Sequence, residues 1–399
     1  MELTNRDCSV CNSIESVKIY HQKHESIAAL DGAAYFQTIV VCKKCGFVYS
    51  NPSPADDELT KHYSLFSNYE NHQRQGRASV ESLNRWQRTY KLISNCFPEK
   101  YSGKVLDVGC ATATGLSVFK SEGWTVLGID PSEIAANIAR RLYNIEVING
   151  MFDNQLIAEK GPFDVIILSH VLEHLLSPES ILIDIEKNLA SGGLIYIEVP
   201  NLLRPFVPIV YFSFEHLNYF TPSTLSLLME RVGFSVEVEL FDNSKNIEPY
   251  YPVISAICRK SQDKKTIARN DYEVVCKVIE EYKKNKFQVS SKIISKINYI
   301  KKNSLKSKLA IWGAGIHTSQ LLSIVNLTKE DVLCIFDNDP KKHGGEISGI
   351  NITEFSKPEL LSKQIDSIII SSNAFEDEIF NQIKYIQEYG IKVYKLYDE

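Results

Sequence analysis

The chain has 399 residues, 44% of them apolar and 23% charged, with a formal net charge of −5. That length exceeds one ordinary core of about 100 to 200 residues, so two or three domains are expected, and the balance excludes wholesale disorder, collagen-like repeats and a coiled-coil rod. No stretch approaches the roughly 18 to 20 uninterrupted apolar residues of a membrane helix, since Leu202 to Phe212 is broken by Arg204, Pro205 and Pro208.

The N-terminal residues carry charges at Glu2, Arg6 and Asp7 and no apolar run, so no secretory signal is expected and a cytoplasmic address follows by default. The nine cysteines are too sparse and uneven for a disulfide framework. Four of them form two pairs, Cys8-x-x-Cys11 and Cys42-x-x-Cys45, the second followed by Gly46. Two intervening residues let both sulfurs of a pair reach one ion at about 2.3 Å, and four thiolates leave no position for water, so a structural Zn²⁺ is expected. A block this small has little apolar surface, and metal binding would supply much of its folding free energy. Asn51-Pro-Ser-Pro54 stops regular structure, because each proline fixes φ and removes a donor. Residues 1–60 are therefore read as one module.

Residues 61–260 alternate strand-like runs (Lys104 to Val108, Thr125 to Ile129, Phe163 to Leu168, Leu194 to Val199) with amphipathic helical segments, which implies a parallel sheet covered on both faces. Val105-Leu-Asp-Val-Gly-Cys110-Ala-Thr-Ala-Thr-Gly115 lies where the first strand turns into a helix, and Asp130 ends the second. A tight turn of small residues lets a ligand approach the backbone, and a carboxylate at the next strand tip can accept ribose hydroxyls, so the pair reads as a nucleoside site. His170-Val-Leu-Glu173-His174 satisfies H-x-x-E-H, the pattern of an inverted zinc peptidase, but the preceding strand leaves His170 at a strand tip and argues against it. Phe214-Glu215-His216-Leu-Asn-Tyr219-Phe220 is the strongest acid/base cluster of the chain. The plainer alternative is that His216 caps or packs a loop.

Residues 261–308 form a basic connector: Arg259 to Lys308 holds fifteen Lys/Arg against five Asp/Glu. Two amphipathic helices are expected there, with Tyr272, Val275, Cys276, Ile279 and Tyr282 on one apolar face and Ile293, Ile297 and Ile300 on the next. Such a run reads as a solvated face, and it lacks the interleaved aromatics of a nucleic-acid groove. Residues 309–399 repeat the strand-turn-helix-strand pattern with Gly313-Ala-Gly315 and Asp337, a half-signature of a dinucleotide fold. Cys96, Cys110, Cys258, Cys276 and Cys334 read as core thiols.

Leu106-Asp-Val-Gly-Cys110, Gly128-Ile-Asp-Pro-Ser132, Phe163-Asp164, Val171-Leu-Glu-His-Leu175 and Gly192-Gly193 resemble the class I S-adenosylmethionine-dependent methyltransferases over roughly residues 80 to 258. The resemblance implies that Asp107 lies near the methionine amine, that Asp130 binds the ribose, and that Gly150-Met151-Phe152 lies beside adenine. It further implies that Gly109, Cys110, Ala111, Ala113, Pro131, Ser169 and His170 line the cofactor crevice; Ala111 and Ala113 stand where glycines are usual. The order of modules resembles the sugar C-methyltransferases that act on nucleotide-linked 4-keto deoxysugars. That resemblance implies His216 as general base, Glu215 orienting it, a nucleotide sugar as small-molecule substrate, and a C-terminal domain that helps enclose the substrate. Ser213 stands where that family has a tyrosine, and Tyr219, or Tyr69 of Phe66-Ser-Asn-Tyr69, can supply the phenol. The expected fold class is thus α/β: a small zinc-binding module, a doubly wound methyltransferase domain, a lysine-rich helical connector, and a second, smaller Rossmann-like α/β domain. O- or N-methylation of a glycan or other metabolite, and a non-catalytic zinc-containing binding protein, are the alternatives.

Overall fold

The computed structural model describes residues 3–24, 35–55, 59–60, 77–98, 101–205, 211–241, 252–261, 269–303, 308–372 and 375–397. The chain divides into two compact units, one of residues 1–21, 37–206 and 215–278, the other of residues 22–36, 207–214 and 279–399. Among the described residues no helix is long and apolar enough to cross a membrane.

The N-terminal strands are β1 (Leu3–Thr4), β2 (Ser16–His24), β3 (Tyr35–Cys42), β4 (Val48–Ser50) and β5 (Ser53–Pro54). Each cysteine pair closes a tight turn. Asn12, at φ 54°, and Gly46, at φ 78°, supply the left-handed residues, and their N–H groups donate to Cys8 O and Cys42 O at 2.8 and 2.9 Å. A Cβ on Gly46 would stand 2.5 Å from the Asp271 backbone, so no other residue fits there. Arg6 fastens this region to the rest of its unit by donating to the carbonyls of Ser50, Leu176 and Leu217 and to Asn218 Oδ1.

The central sheet follows. Helix α1 (Val80–Ser94) precedes β6 (Lys104–Val108), α2 (Thr114–Ser121), β7 (Thr125–Asp130), α3 (Glu133–Tyr143), β8 (Val147–Asn149), α4 (Asn154–Lys160), β9 (Phe163–Ser169), α5 (Pro178–Asn188) and β10 (Leu189–Pro200). Then come β11 (Asn218–Tyr219), α6 (Pro222–Arg231), β12 (Phe234–Phe241) and β13 (Val253–Lys260). The seven strands lie in the order β12-β13-β10-β9-β6-β7-β8. Neighbours from β10 to β8 are parallel, while β13 runs antiparallel to both β10 and β12. Strand order reverses between β6 and β9, and in open α/β sheets the crevice at the carboxyl ends of such strands takes the ligand. The interior strands read as continuous apolar runs because both faces are covered: Val165, Ile166, Ile167 and Leu168 are all fully buried. Cys8, Cys42 and Cys45 belong to the same packed cluster as Leu106, Leu168 and Phe220.

The basic segment departs from expectation. Tyr272–Asn303 is one helix, α7, rather than two. No glycine or proline interrupts it, so nothing local stops propagation, and Val275, Ile279, Tyr282, Ile293, Ile297 and Ile300 are buried along it.

The second unit carries β14 (Leu309–Trp312), α8 (Ile316–Val325), β15 (Val332–Phe336), β16 (Glu346–Ile347), β17 (Ile350–Thr353), α9 (Lys357–Ser362), β18 (Ser367–Ile370), α10 (Glu376–Ile383) and β19 (Lys392–Tyr394). Its sheet order is β16-β17-β15-β14-β18-β19, parallel except for the β16–β17 edge pair.

Candidate active site

The turn after β6 is built for close approach. Gly109 sits at φ 73°, and a Cβ there would meet Val171 Cγ2 at 2.8 Å. Ala111 and Ala113, where glycines are usual, also take left-handed conformations, at φ 50° and 58°. Each alanine bears roughly 1–2 kcal/mol of Cβ crowding in that region. Asp130, at the tip of β7, holds the loop in place: its Oδ2 accepts from Ala111 N at 2.8 Å and its Oδ1 from Ser132 N at 2.9 Å. Gly150 N donates to Asp130 O at 3.0 Å, which brings the Gly150-Met151-Phe152 segment beside this tip. Met151 is exposed and Phe152 packs against the core.

Asp107 is 2% exposed, and its carboxylate accepts no hydrogen bond from any described residue. Burial raises its pKa well above the usual carboxylate range, the neighbouring Asp130 adds to this, and Arg85 opposes it. Burial likewise raises Asp130, against the two backbone N–H groups it accepts from. A desolvated carboxylate of this kind gains most from a cationic donor. These residues fit the amine and ribose of S-adenosylmethionine, because Asp130 keeps lone pairs beyond its two backbone bonds and Asp107 keeps all of its own.

A second buried carboxylate organises the edge between β9 and β10. Glu198 Oε1 pairs with Arg85 of α1 and lies 3.4 Å from His170 Nε2. Its Oε2 accepts from Tyr196 OH at 2.9 Å and Ser255 Oγ at 3.3 Å. Arg85 also donates to Ser169 Oγ at 2.8 Å. Burial alone would raise Glu198, but Arg85, His170 and Tyr196 hold it below the usual range. Nothing in the sequence reading pointed to Arg85 or Glu198, although a glutamate inside the apolar run Leu194–Val199 was a signal that a cationic partner exists.

His170 stands at the tip of β9 with φ 57°, and its Nδ1 donates to Glu173 Oε1 at 3.0 Å. Burial lowers its pKa, but the carboxylates of Glu173 and Glu198 outweigh it and raise the group to about 9. Leu172–His174 is a single 3₁₀ turn, so the H-x-x-E-H motif does not lie on a helix and the peptidase-like arrangement is not formed. The motif joins another group instead: Glu173, His174 and His216 offer ligand atoms within 4.8 Å of one another. His174 Nδ1 donates to Glu215 O at 3.0 Å, and the His174 and His216 rings meet edge to face at 4.9 Å.

Burial lowers His216 to about 4, His174 lowers it further, and Glu173 and then Glu215 oppose the shift. The ring is therefore neutral at pH 7 with a lone pair available. Glu215 accepts from His174 through its backbone carbonyl, and its side chain acts on His216 by charge. Tyr219 is buried and its OH donates to His216 O at 2.8 Å, so it fixes the loop that carries His216. Tyr69 lies outside the described residues. Sequence reasoning missed Glu173 as the carboxylate at the centre of the histidines, although the motif that contains it was in view.

The four cysteine sulfurs also lie within 4.8 Å of one another, with Cys8–Cys45 at 3.6 Å and Cys11–Cys42 at 3.5 Å, and all four are unbridged. A tetrahedral ion with bonds of about 2.3 Å sets its sulfurs roughly 3.8 Å apart, so the four thiols could hold a metal ion with little movement. In the second unit, Asp337 is taken up by its own turn: it accepts from Ala314 N at 2.7 Å, Asp339 N at 2.8 Å and Lys342 Nζ at 3.1 Å.

Five parallel strands, a reversed strand inserted before the edge strand, a small-residue turn after the first strand and carboxylates on the first two make the first unit's fold that of the class I methyltransferases. In keeping with this, residues 71–239 match the family model described as Methyltransferase domain, and residues 305–396 match the one described as C2185-like, N-terminal. The chain is similar to an uncharacterized methyltransferase of Alkaliphilus oremlandii, 30% identical over 97 residues that make up 24% of this chain and 44% of that protein. It is also similar to a ubiquinone biosynthesis O-methyltransferase of Thiobacillus denitrificans, 32% identical over 105 residues, 25% of this chain and 44% of that protein. The chain thus spans less than half the length of these curated relatives. Solved structures similar to it include 1,6-didemethyltoxoflavin-N1-methyltransferase of Burkholderia thailandensis, at TM-score 0.40 and 14% identity, covering 54% of this chain and 96% of that one. Another is a putative S-adenosylmethionine dependent methyltransferase of Listeria monocytogenes, at TM-score 0.36 and 18% identity, covering 43% and 98%.

Proposed function

We propose that the protein is an S-adenosylmethionine-dependent methyltransferase acting on a small molecule, and more narrowly that it methylates a carbon next to a ketone on a nucleotide-activated deoxysugar, with Zn²⁺ in the four-cysteine site. The observation that carries the general reading is Asp107: a carboxylate buried without a hydrogen-bond donor, beside the small-residue turn at the point where strand order reverses. When bound, S-adenosylmethionine supplies an electrophilic methyl carbon. Asp107 would hold its ammonium group and Asp130 its ribose hydroxyls, which fixes the donor so that the acceptor can be brought to about 3–3.5 Å in line. His216 would take the proton of the acceptor as the acceptor's electron pair forms the new bond to methyl and the carbon–sulfur bond breaks toward sulfur. A carbon acceptor needs such a base, and the neutral His216 ring among Glu173 and His174 supports one. Transfer to oxygen is the second reading, favoured by the similarity to ubiquinone biosynthesis O-methyltransferases.

Calorimetry with S-adenosylmethionine tests the general reading: micromolar binding that Asp107→Asn weakens is expected, and no heat up to millimolar donor would reject it. A mass-spectrometric screen of nucleotide sugars for a 14-dalton gain, about one CH₂ by the balance of the transfer, tests the narrower one. His216→Asn should lower turnover by about 10²- to 10⁴-fold with donor binding intact. Near-normal turnover would remove the base assignment.

A further inference from the structure

We propose that Glu173, His174 and His216 form a second metal site, a two-histidine, one-glutamate centre that takes a divalent transition ion of the Zn²⁺ and Co²⁺ type and leaves a coordination position open. Three observations point to it independently of one another. The first is the hydrogen bond from His174 to Glu215 O at 3.0 Å. A carbonyl only accepts, so Nδ1 carries the proton, and Nε2 is the atom turned toward Glu173 Oε1, 4.0 Å away. Metal-binding histidines commonly hold their other nitrogen to a backbone carbonyl in this way, which fixes the tautomer and aims the lone pair.

The second is Glu173 itself. The residue is fully buried; Oε1 accepts from His170, while Oε2 has no hydrogen-bond partner. The third is His216, whose ring receives no hydrogen bond from any described residue and packs on His174. The unbonded His216 ring and the unmatched Glu173 oxygen gather with His174 in one group. His170 answers Glu173 Oε1 alone, and a further cation would match Oε2 and the His216 ring. An ion that accepts several ligands at once satisfies all three. Metal–ligand bonds of about 2.0–2.2 Å place the donor atoms roughly 3–3.5 Å apart, so closure from within 4.8 Å asks for side-chain movements of about 1 Å. Nitrogen and oxygen ligands without thiolate suit Zn²⁺ and Co²⁺ over Ca²⁺ or Mg²⁺.

The site is separate in chemistry from the four cysteines, and the two can be told apart in one titration. An ion bound here uses the lone pair that the proposed base would offer, so metal-loaded protein should be slowed in methyl transfer if His216 is that base. The inference does not need that reading, because its test is read without donor or acceptor.

Full-length protein stripped of metal is titrated with Co²⁺ and followed by visible absorption. Two ions per chain are expected, one with the near-ultraviolet charge-transfer band of thiolate ligation and one without it. His174→Ala and His216→Ala should each weaken the second ion by about 100-fold or more, beyond the usual effect of disturbing an outer ligand partner, and leave the thiolate band unchanged. His343→Ala is the control that keeps both ions. Retention of the thiolate band in each variant shows that the unit is folded, so a loss of the second ion is not a loss of structure. A single ion per chain, or a second ion indifferent to both substitutions, overturns the site. Calorimetry with S-adenosylmethionine on the same samples keeps the methyltransferase reading separate: intact donor binding with no second ion removes the metal site alone.

Discussion

Replacing Arg85 by Met leaves Glu198 buried beside β9 without its strongest partner. The Glu198 side chain is 5% exposed and that of Arg85 32%. A contact near 3 Å at an effective dielectric of 20 is worth on the order of 5 kcal/mol gross. Partial exposure of the guanidinium and the cost of drawing it from water reduce that figure. His170, Tyr196 and Ser255 remain on the carboxylate and soften the loss further, so Arg85→Met should destabilise the first unit by about 2–4 kcal/mol. Urea unfolding followed by tryptophan fluorescence reads this unit through Trp86 and Trp124 once Trp312, the third tryptophan of the chain, is replaced by Phe. The double variant Arg85→Met/Glu198→Gln should recover much of the loss, because it removes the stranded charge. A change of less than about 0.5 kcal/mol in Arg85→Met, the size expected of an ordinary surface substitution, would refute the view that Glu198 depends on this cation.

Chelation, or Cys42→Ser, should lower the unfolding midpoint of the whole first unit and not of the N-terminal strands alone, since Cys8, Cys42 and Cys45 share a core with Leu106 and Leu168; metal analysis with thermal melting checks it, and an unchanged midpoint after metal loss contradicts it. Ala111→Gly should be stabilising by about 0.5 kcal/mol, as relief of left-handed strain exceeds the added freedom of the unfolded chain. Ala113→Gly should be neutral to destabilising by about 1 kcal/mol because its methyl is fully buried, and urea midpoints of the two variants should move in different directions. In the second unit, burial lowers His317 from its ordinary 6.5 to about 4, while its two ring nitrogens meet Ser371 Oγ at 2.8 Å and Tyr397 OH at 2.6 Å. The unfolded chain therefore takes up the proton first, so stability present above pH 6.5 is lost as pH falls toward 4. The loss should reach about 2–3 kcal/mol by pH 4.5; His317→Asn should flatten that slope in urea titrations, and an unchanged slope would count against it.

What could be read from the residues follows the range of the interaction that fixed it. Strands such as Lys104–Val108 and Leu309–Trp312 announce themselves because a buried parallel strand is a short apolar run between turns, and that pattern is complete within a few residues. The cysteine pairs and the turn from Gly109 to Ala113 are equally local. The histidine cluster is not: Glu173 and His174 leave β9 on a 3₁₀ turn, while His216 comes from beyond β10, brought back by a loop that Asn218 secures through Leu172 O and Leu175 O at 2.8 and 2.7 Å. Glu215 stands next to His216 in sequence, and adjacency made it the natural partner. Yet the carboxylate that acts most strongly on His216 is Glu173, because interior electrostatics depends on distance through space and on burial, neither of which neighbouring positions in a loop convey. The same reasoning explains Glu198. An acid inside an apolar strand demands a cation, but nothing local names Arg85 on a helix that precedes the whole sheet. In this chain the groups that bind by backbone shape were legible, and the groups that act by charge became legible only when the sheet had set them side by side.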